Sequence, residues 1–117
     1  MLTIESLSDQ QILDAVEPIM DNLMAGSAAV DHARHTRDFT PRMKCIVTAQ
    51  RLEEICADYQ QRIGHFGARR FVALFRREQS VAVIWKQACS KSTDEFVAEA
   101  VFVPQGGRWL VDHAMVF

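Results

Sequence analysis

The second half of the chain decides the fold. Residues 68–116 read ARRFVALFRREQSVAVIWKQACSKSTDEFVAEAVFVPQGGRWLVDHAMV. Apolar residues alternate with others along this stretch, and the turn-forming groups between them predict four strands at about 68–76, 80–89, 94–103 and 108–116. The three breaks are too short for the crossover that joins parallel strands. We therefore predict an antiparallel sheet in which each strand pairs with the next one.

The beginning of the chain has the apolar spacing of a helix. From Ser8 to about Ala25, apolar residues recur every three or four positions, and Ser8 with Gln11 has the capping-box pattern. Gly26 is expected to end this helix, and Pro18 is expected to bend or interrupt it.

Further helices are predicted before the sheet. A short one is expected over 27–35, and Thr40 followed by proline starts another over 41–47. Thr48 caps a longer helix that ends at Gly64. The apolar stripe of this helix consists of Leu52, Ile55, Cys56, Tyr59 and Ile63. Helices followed by antiparallel strands predict the α+β class.

The predicted register gives both faces of the sheet an apolar surface. With the last turn centred on Gln105 and Gly106, the opposed pairs are Phe102–Trp109, Ala100–Val111 and Ala98–His113 on one face and Glu99–Asp112 on the other. The first face also receives Val81, Val83 and Trp85, and the second receives Ala82, Ile84 and Lys86. A sheet with one wet face would instead alternate apolar with polar residues. Helices can cover one face, and we predict that a second copy of the chain covers the other in a homodimer.

Glu99 and Asp112 form the candidate catalytic pair on the second face. Two carboxylates side by side in an apolar setting repel each other, which raises the pKa of one and would poise it as a general acid or base. The alternative is that Lys86, diagonal to the pair, neutralises it in a structural ion-pair cluster. All three side chains are candidate ligand-binding residues.

Tyr59 is the remaining candidate site residue. Its hydroxyl can enter a cavity as a hydrogen-bond donor, or it can stay in the core with one hydrogen bond. Asp31, His32, His35 and Asp38 cluster near the second helix, but they lack a metal signature such as HExxH and also fit a solvated helix end. The usual nucleotide and phosphate motifs are absent from the sequence. We predict neither a metal nor a cofactor.

Composition is typical of a globular chain. The 117 residues, 49% hydrophobic and 24% charged, suit a single domain covering 1–117. A net charge of -2 supplies no positive field for a nucleic acid. The wide spacing of Cys45, Cys56 and Cys89 argues against a disulfide framework. The N-terminus lacks a secretion signal and the chain lacks a long apolar run, so we expect a cytoplasmic protein that does not bind membranes.

The element order and the local sequence resemble the nuclear transport factor 2-like superfamily, also called cystatin-like. The segments that carry this resemblance are DFTPRMK at 38–44, TAQRLEEI at 48–55, IGHFG at 63–67 and GRWLV at 107–111. They look like a branch of small bacterial domains of unknown function. The resemblance covers 8–117 and implies an α+β roll, in which N-terminal helices pack on a curved four-stranded antiparallel sheet and leave a cone-shaped pocket. It also implies that the open side of the sheet dimerises.

The leading functional hypothesis is a non-catalytic dimeric module, which binds a small apolar or amphipathic molecule in the cone or acts as an accessory protein. One alternative is an acid–base isomerase or dehydratase that uses Asp112 and Glu99 with Tyr59 as donor, since members of the superfamily include both enzymes. The ketosteroid isomerase type would need a tyrosine on the first helix, but Tyr59 is the only tyrosine. Another alternative is a purely structural dimerisation module, whose cone would be filled by side chains.

Overall fold

The computed structural model describes residues 3–117; Met1 and Leu2, at the N-terminus that we inspected for a secretion signal, lie outside this range. Within it, a short 3-10 helix at Ile4–Ser6 precedes the helices α1 (Asp9–Ala28), α2 (His32–His35), α3 (Pro41–Ile46) and α4 (Ala49–Arg62), and then the strands β1 (Phe66–Arg76), β2 (Val81–Cys89), β3 (Ser92–Gln105) and β4 (Arg108–Val116). The strands form an antiparallel sheet in the order β1-β2-β3-β4. The α+β class and the sequential strand pairing are therefore confirmed. No helix in this range is long and apolar enough to cross a membrane.

The predicted helix starts are confirmed for α1, α3 and α4. The Gln11 N–H donates to the Ser8 hydroxyl at 3.1 Å, and the Ser8 N–H donates to the Gln11 side chain at 2.8 Å. This pair completes the capping box of α1. Thr40 and Thr48 cap α3 and α4, and each hydroxyl accepts from the backbone N–H three residues ahead at 3.2 Å. Short-range sequence patterns therefore set where these helices begin.

The predicted end of α1 at Gly26 is wrong, because the helix continues to Ala28. The helix also runs through Pro18 without interruption, and a bend there stays a prediction. Gly26 has another role, since a Cβ atom at this position would lie 2.5 Å from the backbone nitrogen of His35. The missing side chain therefore lets the backbone of α2 approach α1 closely.

The predicted helix over 27–35 is reduced to His32–His35. The first two residues of the predicted range belong to α1, and Val30 then takes a φ of 52°. Asp31 caps α2 by accepting from the Arg34 N–H at 3.1 Å. The result is a single helical turn seated beside the end of α1.

The turn between β3 and β4 is centred one residue later than predicted. Gln105 pairs with Arg108, so Gly106 and Gly107 form a two-residue loop with φ values of 60° and 79°. Two-residue hairpin loops of this kind require a positive φ at both positions, and glycine adopts it without steric cost. The two adjacent glycines therefore determine the position of the turn.

The later turn and a β-bulge at Asp112 make the predicted pairs of this hairpin wrong. The observed pairs include Phe102–Val111, Val101–His113, Ala100–Ala114, Glu99–Met115 and Ala98–Val116. An extra residue in one strand reverses the face to which the following residues point. His113 consequently lies on the same face as Glu99, and Asp112 does not oppose Glu99.

The predicted pairing of β2 with β3 is confirmed and separates the two faces of the sheet. The inner face carries Val81, Val83, Trp85, Ala98, Ala100 and Phe102, all of them buried. They pack in a hydrophobic core with buried residues of α1, α3 and α4. The opposite surface, called the outer face below, carries Arg70, Ala73, Phe75, Ala82, Ile84, Lys86, Val97, Glu99, Val101 and His113.

Candidate functional site

An open cavity of about 470 Å³ lies between the helices and the sheet. Its apolar wall includes Met20, Leu23, Met24, Phe39, Met43, Phe66 and Ala114, and its polar members include Ser27, His35 and Tyr59. α1 and α4 supply most of the helical side, and β4 contributes its last residues. The volume falls in the range of small-molecule sites, which are typically apolar with a few polar groups.

Tyr59 is the predicted site residue that lies in this wall. Its side chain is 7% exposed and stacks on Phe66, with ring centroids 4.7 Å apart. The hydroxyl lies 2.6 Å from Ser27 Oγ and 3.3 Å from the amide nitrogen of Gln60. Because an amide N–H can only donate, the phenol oxygen accepts from Gln60, and the Tyr59 and Ser27 hydroxyls share one hydrogen bond in which either can donate. Burial raises the pKa of Tyr59, so the hydroxyl stays protonated and engaged with the protein.

His35 also lines the cavity, although its sequence context fitted a solvated helix end. Its ring meets Phe39 edge to face with centroids 5.2 Å apart, and Nδ1 lies 2.9 Å from the carbonyl oxygen of Leu23. Burial lowers the pKa of His35 and outweighs this hydrogen bond. No local pattern indicated the position, because it depends on how α2 packs against α1.

Asp112 lies outside the cavity, where the start of α3 meets β4. Its carboxylate accepts from the Thr40 hydroxyl at 2.8 Å and from Arg42 Nε at 3.1 Å. The Thr40 N–H also donates to the carbonyl oxygen of Val111 at 2.9 Å. Burial raises the pKa of Asp112, but the hydrogen bonds from Arg42 and Thr40 and the charge of Arg42 outweigh it, so the pKa is lowered overall. In this structure Asp112 ties two elements together.

Glu99 and Lys86 lie on the outer face and have separate partners. Glu99 Oε2 is 2.6 Å from His113 Nε2, and Lys86 Nζ is 2.8 Å from a Glu95 carboxylate oxygen. The predicted side-by-side arrangement of Glu99 and Asp112 is wrong, because the bulge at Asp112 displaces it from the pairing position. The diagonal approach of Lys86 to that pair is also not observed.

The histidines and aspartates near α2 are engaged by the protein. Asp31 caps α2, His32 Nε2 lies 2.8 Å from the carbonyl oxygen of Val47, and Asp38 pairs with Arg37 and Arg108. Within residues 3–117, no three His, Cys, Asp or Glu side chains are grouped closely enough to hold a metal ion.

Comparison with solved structures identifies the fold. A designed nuclear transport factor 2-like protein is similar over 87% of this chain and 96% of its own, with a TM-score of 0.62 and 15% identity. The chain has the nuclear transport factor 2-like fold. The cavity described above lies between the helices and the sheet of this fold.

Two natural proteins are structurally similar to the chain. One is RPA3114, a SEC-C motif containing protein from Rhodopseudomonas palustris, with a TM-score of 0.52, 13% identity and coverage of 92% of this chain and 93% of that one. The other is Bd1075 from Bdellovibrio bacteriovorus, with a TM-score of 0.54 and 8% identity; 92% of this chain matches 40% of its length. No family model and no curated protein matches the chain. At such identities the nuclear transport factor 2-like fold is shared, and an activity cannot be transferred.

Proposed function

We propose that the protein is a non-catalytic module that binds a small apolar or amphipathic molecule in its cone-shaped cavity and dimerises through the outer face of its sheet. The cavity of about 470 Å³ carries the proposal. A purely structural module would have a cone filled by side chains, whereas this space is open. Its size and its apolar wall match the usual properties of small-molecule sites.

The charges around the cavity favour a ligand without net charge. Arg51 lies 3.5 Å from Glu54, and Arg62 lies 2.9 Å from Asp58. These four residues line the cavity, and each arginine is paired with a carboxylate. An ionic ligand would have to compete with these pairs or be buried without a counter-charge, which is costly.

Binding is favoured over acid–base chemistry by the positions of the candidate catalytic residues. That chemistry needs Tyr59, Glu99 and Asp112 within hydrogen-bond reach of one substrate. Tyr59 lines the cavity, but Glu99 lies on the outer face and Asp112 is held at the start of α3. Of the four predicted ligand-binding residues, Tyr59 lines the cavity, and Lys86 and Glu99 belong to the outer face through which we propose that the protein dimerises.

The outer face supports the dimer. Phe75 is 55% exposed and Phe117, which pairs with the outer-face residue Val97, is 60% exposed. Charged groups of both signs lie on this face: Lys86 contacts Glu95, Glu99 contacts His113, and Arg70 lies opposite Lys86. A face that is largely apolar and carries charges of both signs can meet a second copy of itself so that opposite charges face each other, as a two-fold interface requires.

Filling the cone with an extra ring tests the binding proposal. The uncharged fluorophore N-phenylnaphthylamine should bind saturably to the wild-type protein, and Ala114→Phe should weaken binding about tenfold or more, which corresponds to about 1.4 kcal/mol. The matched control is Ala73→Phe, because Ala73 is also a half-buried strand residue but lies on the outer face. Circular dichroism checks that both variants fold.

The control separates the cone from the exposed outer face as the place of binding. We expect Ala73→Phe to bind the fluorophore as the wild-type protein does. No binding by the wild-type protein, or equal binding by the wild-type protein and Ala114→Phe, would contradict the proposal.

A further inference from the structure

His35 is held in a single tautomer in the cavity wall. Its Nδ1 lies 2.9 Å from the carbonyl oxygen of Leu23, and because a carbonyl can only accept, Nδ1 carries the hydrogen. Burial lowers the pKa of the ring, and the nearby charge of His32 acts in the same direction. The imidazole is therefore neutral near neutral pH, and Nε2 bears a lone pair without a hydrogen.

Nε2 of His35 is an acceptor that the protein leaves free. Among residues 3–117, the side-chain hydrogen bonds of His35 use Nδ1 alone. The buried side-chain polar atoms that lack a partner in this range are Arg69 Nε and Gln87 Oε1. Nε2 is thus not sealed inside the protein, and the ring that carries it lines the cavity.

The other polar groups of the wall are already paired. The Tyr59 and Ser27 hydroxyls are hydrogen-bonded to each other, and the arginines that line the cavity pair with carboxylates. The cone therefore offers a bound molecule one basic nitrogen as an acceptor beside its apolar wall, while the charged groups of the lining form ion pairs on α4. Unbranched methionine side chains on α1 and α3 can adapt to the shape of such a molecule.

We propose that the cavity selects uncharged, apolar ligands that carry a single hydrogen-bond donor, an O–H or an aromatic N–H group, which donates to Nε2 of His35. This inference rests on the proposed function. A hydrocarbon without a donor would cover Nε2 and leave it unpaired, which costs binding free energy. A ligand carboxylate would be disfavoured, because its lone pairs would face the lone pair of Nε2 and the described wall has no unpaired cation to neutralise it.

Carbazole and N-methylcarbazole form a matched pair of fluorescent probes. They share the same fused rings, and carbazole alone has a hydrogen-bond donor, the N–H group. The quantity to compare is the ratio of carbazole affinity to N-methylcarbazole affinity. We expect this ratio to be about five- to tenfold larger for the wild-type protein than for a variant without Nε2, which is the usual size of one hydrogen bond. Fluorescence titration measures both affinities.

His35→Asn is the variant that removes Nε2, while its amide N–H can still donate to the carbonyl oxygen of Leu23. It should lower the ratio of carbazole affinity to N-methylcarbazole affinity about five- to tenfold. His65→Asn is the control, because His65 is exposed and lies outside the cavity wall. We expect this control to bind both probes as the wild-type protein does.

The outcomes separate this inference from the proposed function. If neither probe binds the wild-type protein, the binding function itself fails. If both bind and His35→Asn leaves their affinity ratio unchanged, the cavity binds ligands but the role of His35 is overturned. Nitrogen NMR of the wild-type protein gives a second measurement that needs no variant: carbazole, but not N-methylcarbazole, should shift the Nε2 resonance of His35, and equal shifts would contradict the inference.

Discussion

Asp112 shows how one residue acquires its chemistry from its neighbours. In the predicted register it would oppose Glu99, and the two carboxylates would raise the pKa of one of them. The bulge instead turns it toward Thr40 and Arg42, which lower that pKa overall. The residue that we considered as an acid or base becomes a contact between β4 and the start of α3.

This contact should depend on pH. The folded-state pKa of Asp112 lies below its ordinary value of 3.8. The ionised carboxylate therefore stabilises the fold fully at pH values above 3.8. This stabilisation is lost as the pH falls through the folded-state pKa. Asp112→Asn should lower the free energy of unfolding by about 1 kcal/mol or less at neutral pH, since the pair is partly exposed. Urea unfolding of the wild-type protein and Asp112→Asn should show that the difference between their free energies of unfolding becomes smaller as the pH is lowered.

Asp94→Asn serves as the control for this pH series. Asp94 is exposed in β3, and its carboxylate makes no hydrogen bond or ion pair with residues 3–117. The control should follow the wild-type protein at every pH. A stability difference for Asp112→Asn that does not change with pH would show that the carboxylate charge is unimportant.

The element α2 depends on its packing against α1. A four-residue helix cannot be stable alone, because helix nucleation is costly. It is held by the Asp31 cap, by the His35 hydrogen bond to Leu23, and by the close approach at Gly26. These contacts together place the His35 ring in the cavity wall.

Gly26→Ala should therefore destabilise the protein. Alanine is the better helix former by up to about 1 kcal/mol, but its Cβ would lie 2.5 Å from a backbone atom of His35. Overpacking of this kind costs about 1–3 kcal/mol, so we expect a net loss of about 1–2 kcal/mol in urea unfolding.

Gly67→Ala is the matched control for this substitution. A Cβ atom at Gly67 would have its nearest contact at 3.7 Å, which is ordinary van der Waals distance. We expect this variant to be as stable as the wild-type protein or slightly more stable. If Gly26→Ala behaved in the same way, the close approach of α1 and α2 would not matter for stability.

At the scale of the whole molecule, the two faces of the sheet have different coverings. The helices cover the inner face and leave the cone open between them. The outer face exposes large apolar side chains, among them Phe75. Burial of such a surface in a dimer would remove it from water, which is the main driving force for association.

Phe75→Glu should weaken the dimer. Sedimentation equilibrium of the wild-type protein should show a dimer, and the variant should dissociate at concentrations about tenfold higher or more, because a buried aromatic anchor is replaced by a charge. Ile46→Glu is the control, since Ile46 is 54% exposed but belongs to α3. A wild-type protein that stays monomeric at high concentration, or an equal effect of both substitutions, would contradict the dimer.

The sequence by itself determined the class of the fold and the order of its elements. The caps at Ser8, Thr40 and Thr48 depend on hydrogen bonds across three residues, so a local pattern is sufficient to predict them. Alternation and short turns likewise predicted the antiparallel order of the strands and the faces on which the residues of β2 and β3 lie. Tyr59 on the apolar stripe of its helix was the part of the candidate site that these local patterns could indicate.

Only the tertiary structure decided the rest of the site. Three features of the site depend on contacts between residues that are not neighbours in the chain. They are the displacement of Asp112, the pairing of Glu99 with His113 and the hydrogen bond of His35 to Leu23. A bulge adds no hydrophobic signal to the sequence, yet it reverses the faces of every residue that follows in the strand. The cavity is space that the packed elements leave unfilled, and its lining depends on how those elements meet, which no local pattern encodes.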